Sequence, residues 1–351
     1  MSLSAARIKA RALEAGFDLC GVAAADAFPE LLSLHDWLTR GYAGEMRYMV
    51  RTAKVRADVR SLLPSAASVI VCASVYNVDR PYSTARGDSR EARISRYAWG
   101  DDYHLLMRKR LGELLAWMRA ESPAPLDARA FVDTGPVQER VYAQHAGLGW
   151  IGKNTCLINP QLGSWLFLSE IICSLTLEPD QPGFDQCGTC TLCLEACPTG
   201  ALVEPRVLDA TRCLSYLTIE LRGAVPEAQR EAIGAHVYGC DICQDVCPWN
   251  QVAAESPGPE WQPRPWLDSP RLVDLWRTSD AAFTEGLRRS AMKRAKLTGL
   301  RRNVALAIGN SGDGEATAAL DEPDEVSPSK RDVIVAEHVA WAKRRIGQRD
   351  G

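Results

Sequence analysis

Cys187-Gly-Thr-Cys190-Thr-Leu-Cys193-Leu-Glu-Ala-Cys197-Pro198, followed further on by Cys240-Asp-Ile-Cys243-Gln-Asp-Val-Cys247-Pro248, is the part of this 351-residue chain that decides its organisation. The first run has the C-x2-C-x2-C-x3-C-P spacing of two-cluster bacterial ferredoxins, in which the fourth cysteine ligates the other cluster. Three closely spaced thiolates wrap the corners of one cube, and the Cys-Pro step turns the fourth towards its neighbour. The second run is incomplete: three residues before Cys240 stands Val237. Two 4Fe–4S clusters need eight thiolates. The first run supplies four and the second three, so one must come from Cys20, Cys72, Cys156, Cys173 or Cys213. Cys213 lies between the runs, at the start of a predicted helix, and is the expected donor. The assignment is then Cys187, Cys190, Cys193 and Cys247 for cluster one, and Cys197, Cys213, Cys240 and Cys243 for cluster two. Zinc also suits paired C-x2-C units, but a three-cysteine run ending in x3-Cys-Pro, with a second Cys-Pro, speaks for iron–sulfur.

Working upstream, the first ~180 residues alternate strand and helix patterns and predict an α/β or α+β domain. Residues 3–16 carry amphipathic helical periodicity, and residues 30–40 also read as helix. Phe17–Val22 and the Val-rich run Ser68–Val75 read as strands, the second buried on both faces; Cys20 and Cys72 fall in these and are expected to be buried structural thiols. Asp102–Glu121 predicts a long helix closed by Pro123 and Pro125. Arg129–Asp133 predicts a strand running into Thr134-Gly135-Pro136, residues 137–146 a helix, and 155–159 and 164–177 further strands. Between them, Gly147-Leu-Gly-Trp-Ile-Gly-Lys-Asn154 is glycine-rich, so its backbone can approach a bulky ligand closely.

Downstream, Pro257, Pro259, Pro263, Pro265 and Pro270 predict a linker. Helices are expected at about 270–277, 280–294, 299–310 and 331–346, with 311–330 a loop. The expected domains are therefore 1–180, 181–255 and 256–351. Net charge is −3, so nucleic-acid binding would need a local patch. Arg288 to Arg302 provides one: it contains Arg289, Lys293, Arg294, Lys296, Arg301 and Arg302 and no acid. Arg289, Lys293 and Lys296 recur at helical spacing and are expected to share a face able to meet phosphates; a solvated helix face is the plainer alternative. The N-terminal residues do not resemble an export signal, and no run of about 18 apolar residues suggests a membrane span. Grouped cysteines without an export signal fit the cytoplasm and metal binding.

Several stretches together resemble the epoxyqueuosine reductase family, cobalamin- and iron–sulfur-dependent enzymes of tRNA queuosine synthesis. They are Phe131-Val-Asp-Thr-Gly-Pro-Val137 with Glu139-Arg140, Ala146 to Thr155, Gly163-Ser-Trp-Leu-Phe, the two cysteine runs, Gly299-Leu-Arg-Arg-Asn303 and Gly309-Asn310. The resemblance implies a cobalamin-binding N-terminal domain on a scaffold shared with reductive dehalogenases, a ferredoxin-like domain and a C-terminal all-helical, HEAT-like tail. It implies reduction of epoxyqueuosine at the wobble position of tRNAs with a G-U-N anticodon, with electrons passing from an external donor through the clusters to cobalt. It places the proton donor on Asp133, whose burial would raise its pKa. It also places cobalamin contacts on Arg56, Tyr97, Asp133, Lys153, Asn154, Cys156, Ser169, Ser215 and Asp241. Asp102-x-His104 is the nearest match to the Asp-x-His-x-x-Gly signature of histidine-ligated cobalamin, but Met107 replaces the glycine, so that binding mode is not expected. The alternatives are a related reductase of a small organohalide and a non-catalytic electron carrier. A monomer is expected.

Overall fold

The computed structural model describes residues 3–347 except 257 and 325, so Pro257 of the expected linker lies outside the described residues. Four strands form one sheet: β1 (Leu19–Ala24), β2 (Ser68–Val75), β3 (Ala128–Phe131) and β4 (Leu166–Cys173), in the order β1-β2-β4-β3. Every neighbouring pair is antiparallel, so this part is α+β. Strand β2 is buried along its whole length, as its unbroken apolar run predicts. Side chains alternate across the pleat. Ile70, Cys72, Phe167 and Ile171 enter one core, while Val69, Val71, Leu168 and Ile172 enter another on the opposite face. Cys20 and Cys72 are directly opposite each other across β1 and β2; Cys72 is buried and Cys20 partly so.

Helix α1 (Ala5–Glu14) starts on a Ser4 side-chain cap. Helix α2 (Tyr103–Glu121) starts on Asp102, whose carboxylate accepts from the His104 N–H. It buries Met107, Leu111, Leu114 and Met118 at helical spacing. Helix α3 (Glu139–His145) covers the second face of the sheet.

The cysteine segment is mostly irregular, with α4 (Leu214–Ile219) between its two runs. His236–Tyr238 pairs in parallel with Arg93–Ile94, which ties this segment to the N-terminal part. The tail contains α5 (Leu272–Arg277), α6 (Asp280–Gly286), α7 (Lys296–Ser311), α8 (Gly314–Ala319) and α9 (Val333–Gly347). The short helix α8 falls in the expected loop. Its acidic cap Asp313, whose side chain accepts from Glu315 N–H, provides the start signal. One continuous hydrophobic core contains Ile8 and Leu111 of the N-terminal part, Leu217 and Val237 of the cysteine segment, and Leu300 and Ala342 of the tail.

The basic stretch departs from expectation. Helix α6 ends at Gly286, and Ser290 starts a separate 3-10 turn at Ala291–Ala295. Arg289 and Lys296 have left-handed φ of 52° and 63°. Arg289, Lys293 and Lys296 therefore do not share one helical face, although all three are exposed. Arg301 and Arg302 do not present phosphate contacts at all: both are fully buried. Arg301 donates to the carbonyls of Leu275 and Trp276 at 2.9 Å, satisfying the open C-terminal end of α5. Arg302 donates to the carbonyls of Leu217, Leu221 and Gly223, binding the end of α4 to the tail.

Candidate functional site

A cavity of about 1550 Å³ opens between the sheet domain, the cysteine segment and the basic turn. It is larger than the 300–1,000 Å³ usual for small-ligand sites. Its lining comes from the loop after β3, the starts of α2 and α3 and the first residues of β4, together with both cysteine runs and α4.

The glycine-rich stretch forms a hairpin in which Trp150–Ile151 pairs with Leu157–Ile158. Its glycines are spent on close approach to protein, not ligand: a Cβ on Gly149 would lie 2.1 Å from the Ile158 carbonyl oxygen. The tip divides its side chains between two neighbours. Asn154 and Cys156 line the cavity, and Asn154 Nδ2 donates to the Cys243 carbonyl at 3.2 Å. Lys153 turns the other way, and its ammonium donates to the carbonyls of Gly188 (2.7 Å) and Cys190 (2.8 Å) in the first cysteine run. Its amine is thereby engaged away from the cavity, contrary to the direct contact expected of it.

Of the other expected cofactor contacts, Arg56, Tyr97, Asp133, Ser215 and Asp241 line the cavity. Arg56 donates to the Val137 carbonyl at 2.9 Å and the Thr52 hydroxyl at 3.0 Å. The Tyr97 hydroxyl donates to that of Tyr238 at 3.0 Å. Asp241 accepts from the Arg96 N–H (2.7 Å) and the Ser95 hydroxyl (2.5 Å). Burial, reinforced by nearby Asp245, pushes its carboxyl up to about 6. Ser169 is enclosed on β4, and its hydroxyl has no partner among the described residues.

The cysteines separate into two groups. Cys197, Cys213, Cys240 and Cys243 all line the cavity; Cys187, Cys190, Cys193 and Cys247 lie outside its wall. Charge interactions link Cys240 to Cys213 and Cys197, and link Cys247 to Cys187 and Cys193. Burial pushes the Cys213, Cys240 and Cys243 thiols up, with the hydrogen bond that Cys243 donates to Cys156 the first cause at Cys243. Such sulfurs are poor thiolates unless a metal ligates them. The Trp150 indole N–H points at Cys187 Sγ from 3.5 Å.

Asp133 lines the cavity just beyond β3, with φ 51°. Three groups hold it. Its N–H donates to Glu139 Oε1 at 2.6 Å. Arg108 grips the next residue through the Thr134 hydroxyl at 3.0 Å. His104 Nε2 is 3.0 Å from Asp133 Oδ2, while the other ring nitrogen is 2.7 Å from Asp102 Oδ1. The electrostatics reverse the expectation for Asp133. Burial pushes its carboxyl up, but the hydrogen bond and charge of His104, with Arg140 and Tyr103, outweigh it and hold it below the ordinary range. Burial likewise opposes a charged His104, but Asp102 and Asp133 together raise the imidazole to about 9. At neutral pH the proton therefore sits on His104. Nothing local signals this pair, because its members are far apart in the chain.

Behind them are two more carboxyls. Burial, then the Asp133 charge, pushes Glu139 up to about 8. Glu170, on β4 and fully buried, has neither carboxyl oxygen partnered among the described residues; burial and the Glu139 and Asp133 charges push it well up.

A family model described as "4Fe-4S double cluster binding domain" matches residues 186–250, and one described as "Epoxyqueuosine reductase QueG, DUF1730" matches residues 56–134. An epoxyqueuosine reductase of Gloeobacter violaceus is 48% identical over 91% of this chain and 100% of its own length. The fold is similar to a crystal structure of an epoxyqueuosine reductase with an epoxyqueuosine-modified tRNA-Tyr stem loop: TM-score 0.86, 32% identity, 97% of this chain and 90% of that one. It is also similar to a Bacillus subtilis epoxyqueuosine reductase described with its catalytic aspartate loop swung out of the active site: TM-score 0.84, 32% identity, with the same coverage.

Proposed function

This chain belongs to the epoxyqueuosine reductase family, and from that premise we propose that the cavity is where epoxyqueuosine in tRNA is reduced, with Asp133 delivering protons and a 4Fe–4S pair delivering electrons. The enzyme is an oxidoreductase that modifies tRNA, and its cysteine segment is a double-cluster domain. The observation that carries the reading is that one cavity is lined both by Asp133 and His104 and by the cluster-two cysteines. Electrons enter from an external donor at Cys187, Cys190, Cys193 and Cys247, and leave through Cys197, Cys213, Cys240 and Cys243.

Cobalamin is the cofactor proposed for the remaining volume. Arg56, Tyr97, Asn154, Cys156, Ser215 and Asp241 would hold it, with Lys153 contributing through the hairpin it anchors and Ser169 from behind the wall. When bound it supplies a two-electron nucleophile. His104 is not available to it as a ligand, because both ring nitrogens face carboxylates. The chain's own part is to orient the epoxide, exclude water and supply protons. Ring opening leaves an alkoxide, a poor leaving group unless protonated, so a positioned acid lowers the barrier.

The wobble base would be turned out of the RNA into the cavity. Exposed Arg289, Lys293 and Lys296 would meet the backbone, as would Arg294, which shares its charge with Glu220 at 2.7 Å. The units 1–180, 181–255 and 256–351, the last a HEAT-like tail, are the proposed division of labour in a cytoplasmic monomer. No helix among the described residues is long and apolar enough to cross a membrane. A bare electron carrier would leave the Asp133 pair without a role, and an organohalide reductase would leave the exposed basic residues idle. The test is conversion of epoxyqueuosine-containing RNA by anoxically prepared, cobalamin-loaded protein with a chemical reductant. Asp133→Asn keeps the left-handed backbone, which asparagine tolerates, and should lower the rate ~10²-fold or more; an undiminished rate removes Asp133 from the role.

A further inference from the structure

The proposed reaction takes up two protons for each epoxide, and a single carboxyl carries one. Both carbon–oxygen bonds to the epoxide oxygen break, a carbon–carbon double bond forms, two electrons arrive through the clusters, and both protons end on the oxygen as water. Asp133 must therefore be loaded twice, and it is a carboxylate in the resting enzyme. Two groups reach its carboxylate: His104, with Nε2 at 3.0 Å from Oδ2, and the Tyr103 hydroxyl, whose own pKa burial pushes well above the ordinary value, so that it keeps its proton. The far side of the ring is fixed by Asp102 at 2.7 Å, and Asp102 is itself fixed as the cap of α2. The ring is 18% exposed, which leaves it open to water.

We propose that His104 is the proton relay of this site, passing each proton from Nε2 to Asp133 and being recharged from water, while Asp102 holds Nδ1–H so that Nε2 always faces Asp133. This rests on the reading of Asp133 as the donor. It follows the logic by which a buried carboxylate fixes the tautomer of a catalytic imidazole. The surrounding groups agree with the role. On α2, Asp102 favours the imidazolium, and the Tyr103 ring stacks on the imidazole at 4.1 Å. From the loop, Asp133 also favours the imidazolium. Arg140 of α3 acts on Asp133, and Arg108 acts on Asp102. The rise to about 9 keeps the relay charged at neutral pH.

The experiment uses the reconstituted holoenzyme and an epoxyqueuosine-modified stem-loop RNA in single turnovers across a pH series. In the native enzyme the rate should fall as pH passes about 9, where His104 loses its proton. His104→Gln should slow the step ~10²-fold, leave KM for the RNA within about two-fold, abolish that basic limb, and recover rate when imidazole is added to the buffer. Asp102→Asn, which leaves the imidazole in place, should move the limb to lower pH. A His104→Gln enzyme with native rate and native pH profile overturns the proposal. So does a slowed variant that keeps the limb and ignores imidazole, since that is loss of structure alone. If Asp133→Asn is itself unimpaired, the underlying reading fails; if Asp133→Asn is inactive while His104→Gln is not, only the relay fails.

Discussion

Replacing Glu139 by alanine should release the Asp133 loop. Asp133 stands at φ 51°, a left-handed conformation that costs a non-glycine residue about 1–2 kcal/mol. The loop is therefore restrained by its contacts, and a side chain reaches its backbone through the Asp133 N–H to Glu139 Oε1 bond at 2.6 Å. Removing the acceptor should cost about 1–3 kcal/mol, a factor of roughly 5 to 150 in the balance between loop-in and loop-out. The Bacillus subtilis epoxyqueuosine reductase structure is described with its own catalytic aspartate loop swung out of the active site. If loop-in is favoured by a similar margin, Glu139→Ala becomes mainly loop-out and single-turnover conversion falls by a comparable factor, with RNA binding unchanged. Glu139→Gln keeps an oxygen within reach and should cost only a few-fold. The assay is nucleoside analysis of the RNA after anoxic single turnovers. A native rate in Glu139→Ala would refute the reasoning. Equal damage from alanine and glutamine would also refute it, because the ionisable proton and not the acceptor would then matter.

Three further outcomes are expected. Cys213→Ser should lower iron in anoxically prepared protein from roughly eight to roughly four per chain and abolish turnover, whereas full iron retention would send the eighth ligand elsewhere. Arg302→Ala should destabilise the fold by ~3 kcal/mol or more, since three carbonyls lose a buried donor; Arg289→Ala should leave denaturation unchanged and reduce the salt slope of RNA binding by about one unit, and the reverse pattern would exchange their roles. Glu170 is neutral in the fold because burial raises its pKa above the unfolded value, so its favourable contribution is complete below the ordinary glutamate value of 4.5 and is lost as pH rises. Glu170→Gln should therefore gain stability over the native protein between about pH 5 and 8 in denaturant titrations; a constant difference would mean that Glu170 is ionised or partnered.

The features legible in the sequence are those with a local signature. The Ser68–Val75 strand announced itself by unbroken apolar character, and the Tyr103–Glu121 helix by the prolines that close it. The cysteine spacing located the double-cluster segment that the family match covers at 186–250. Three features escaped because they are set by tertiary context. Charge patterning could not distinguish the exposed Arg289 from Arg301, whose side chain is inside capping carbonyls. The glycines of 147–152 advertised close approach, but not to what. The direction of the Asp133 shift depended on an imidazole brought in from another helix, so burial alone gave the wrong sign.

The unbroken core that includes Ile8, Leu217 and Ala342 has a consequence for how this protein fails. Its tail, proposed to face the RNA, is tied to the end of α4 through the Arg302 contacts with the Leu217 and Leu221 carbonyls. If the proposed clusters brace the middle, their loss should loosen both ends together, so that oxidative damage would remove grip on the substrate along with the supply of electrons. A damaged molecule would then let its RNA go instead of sequestering it unrepaired.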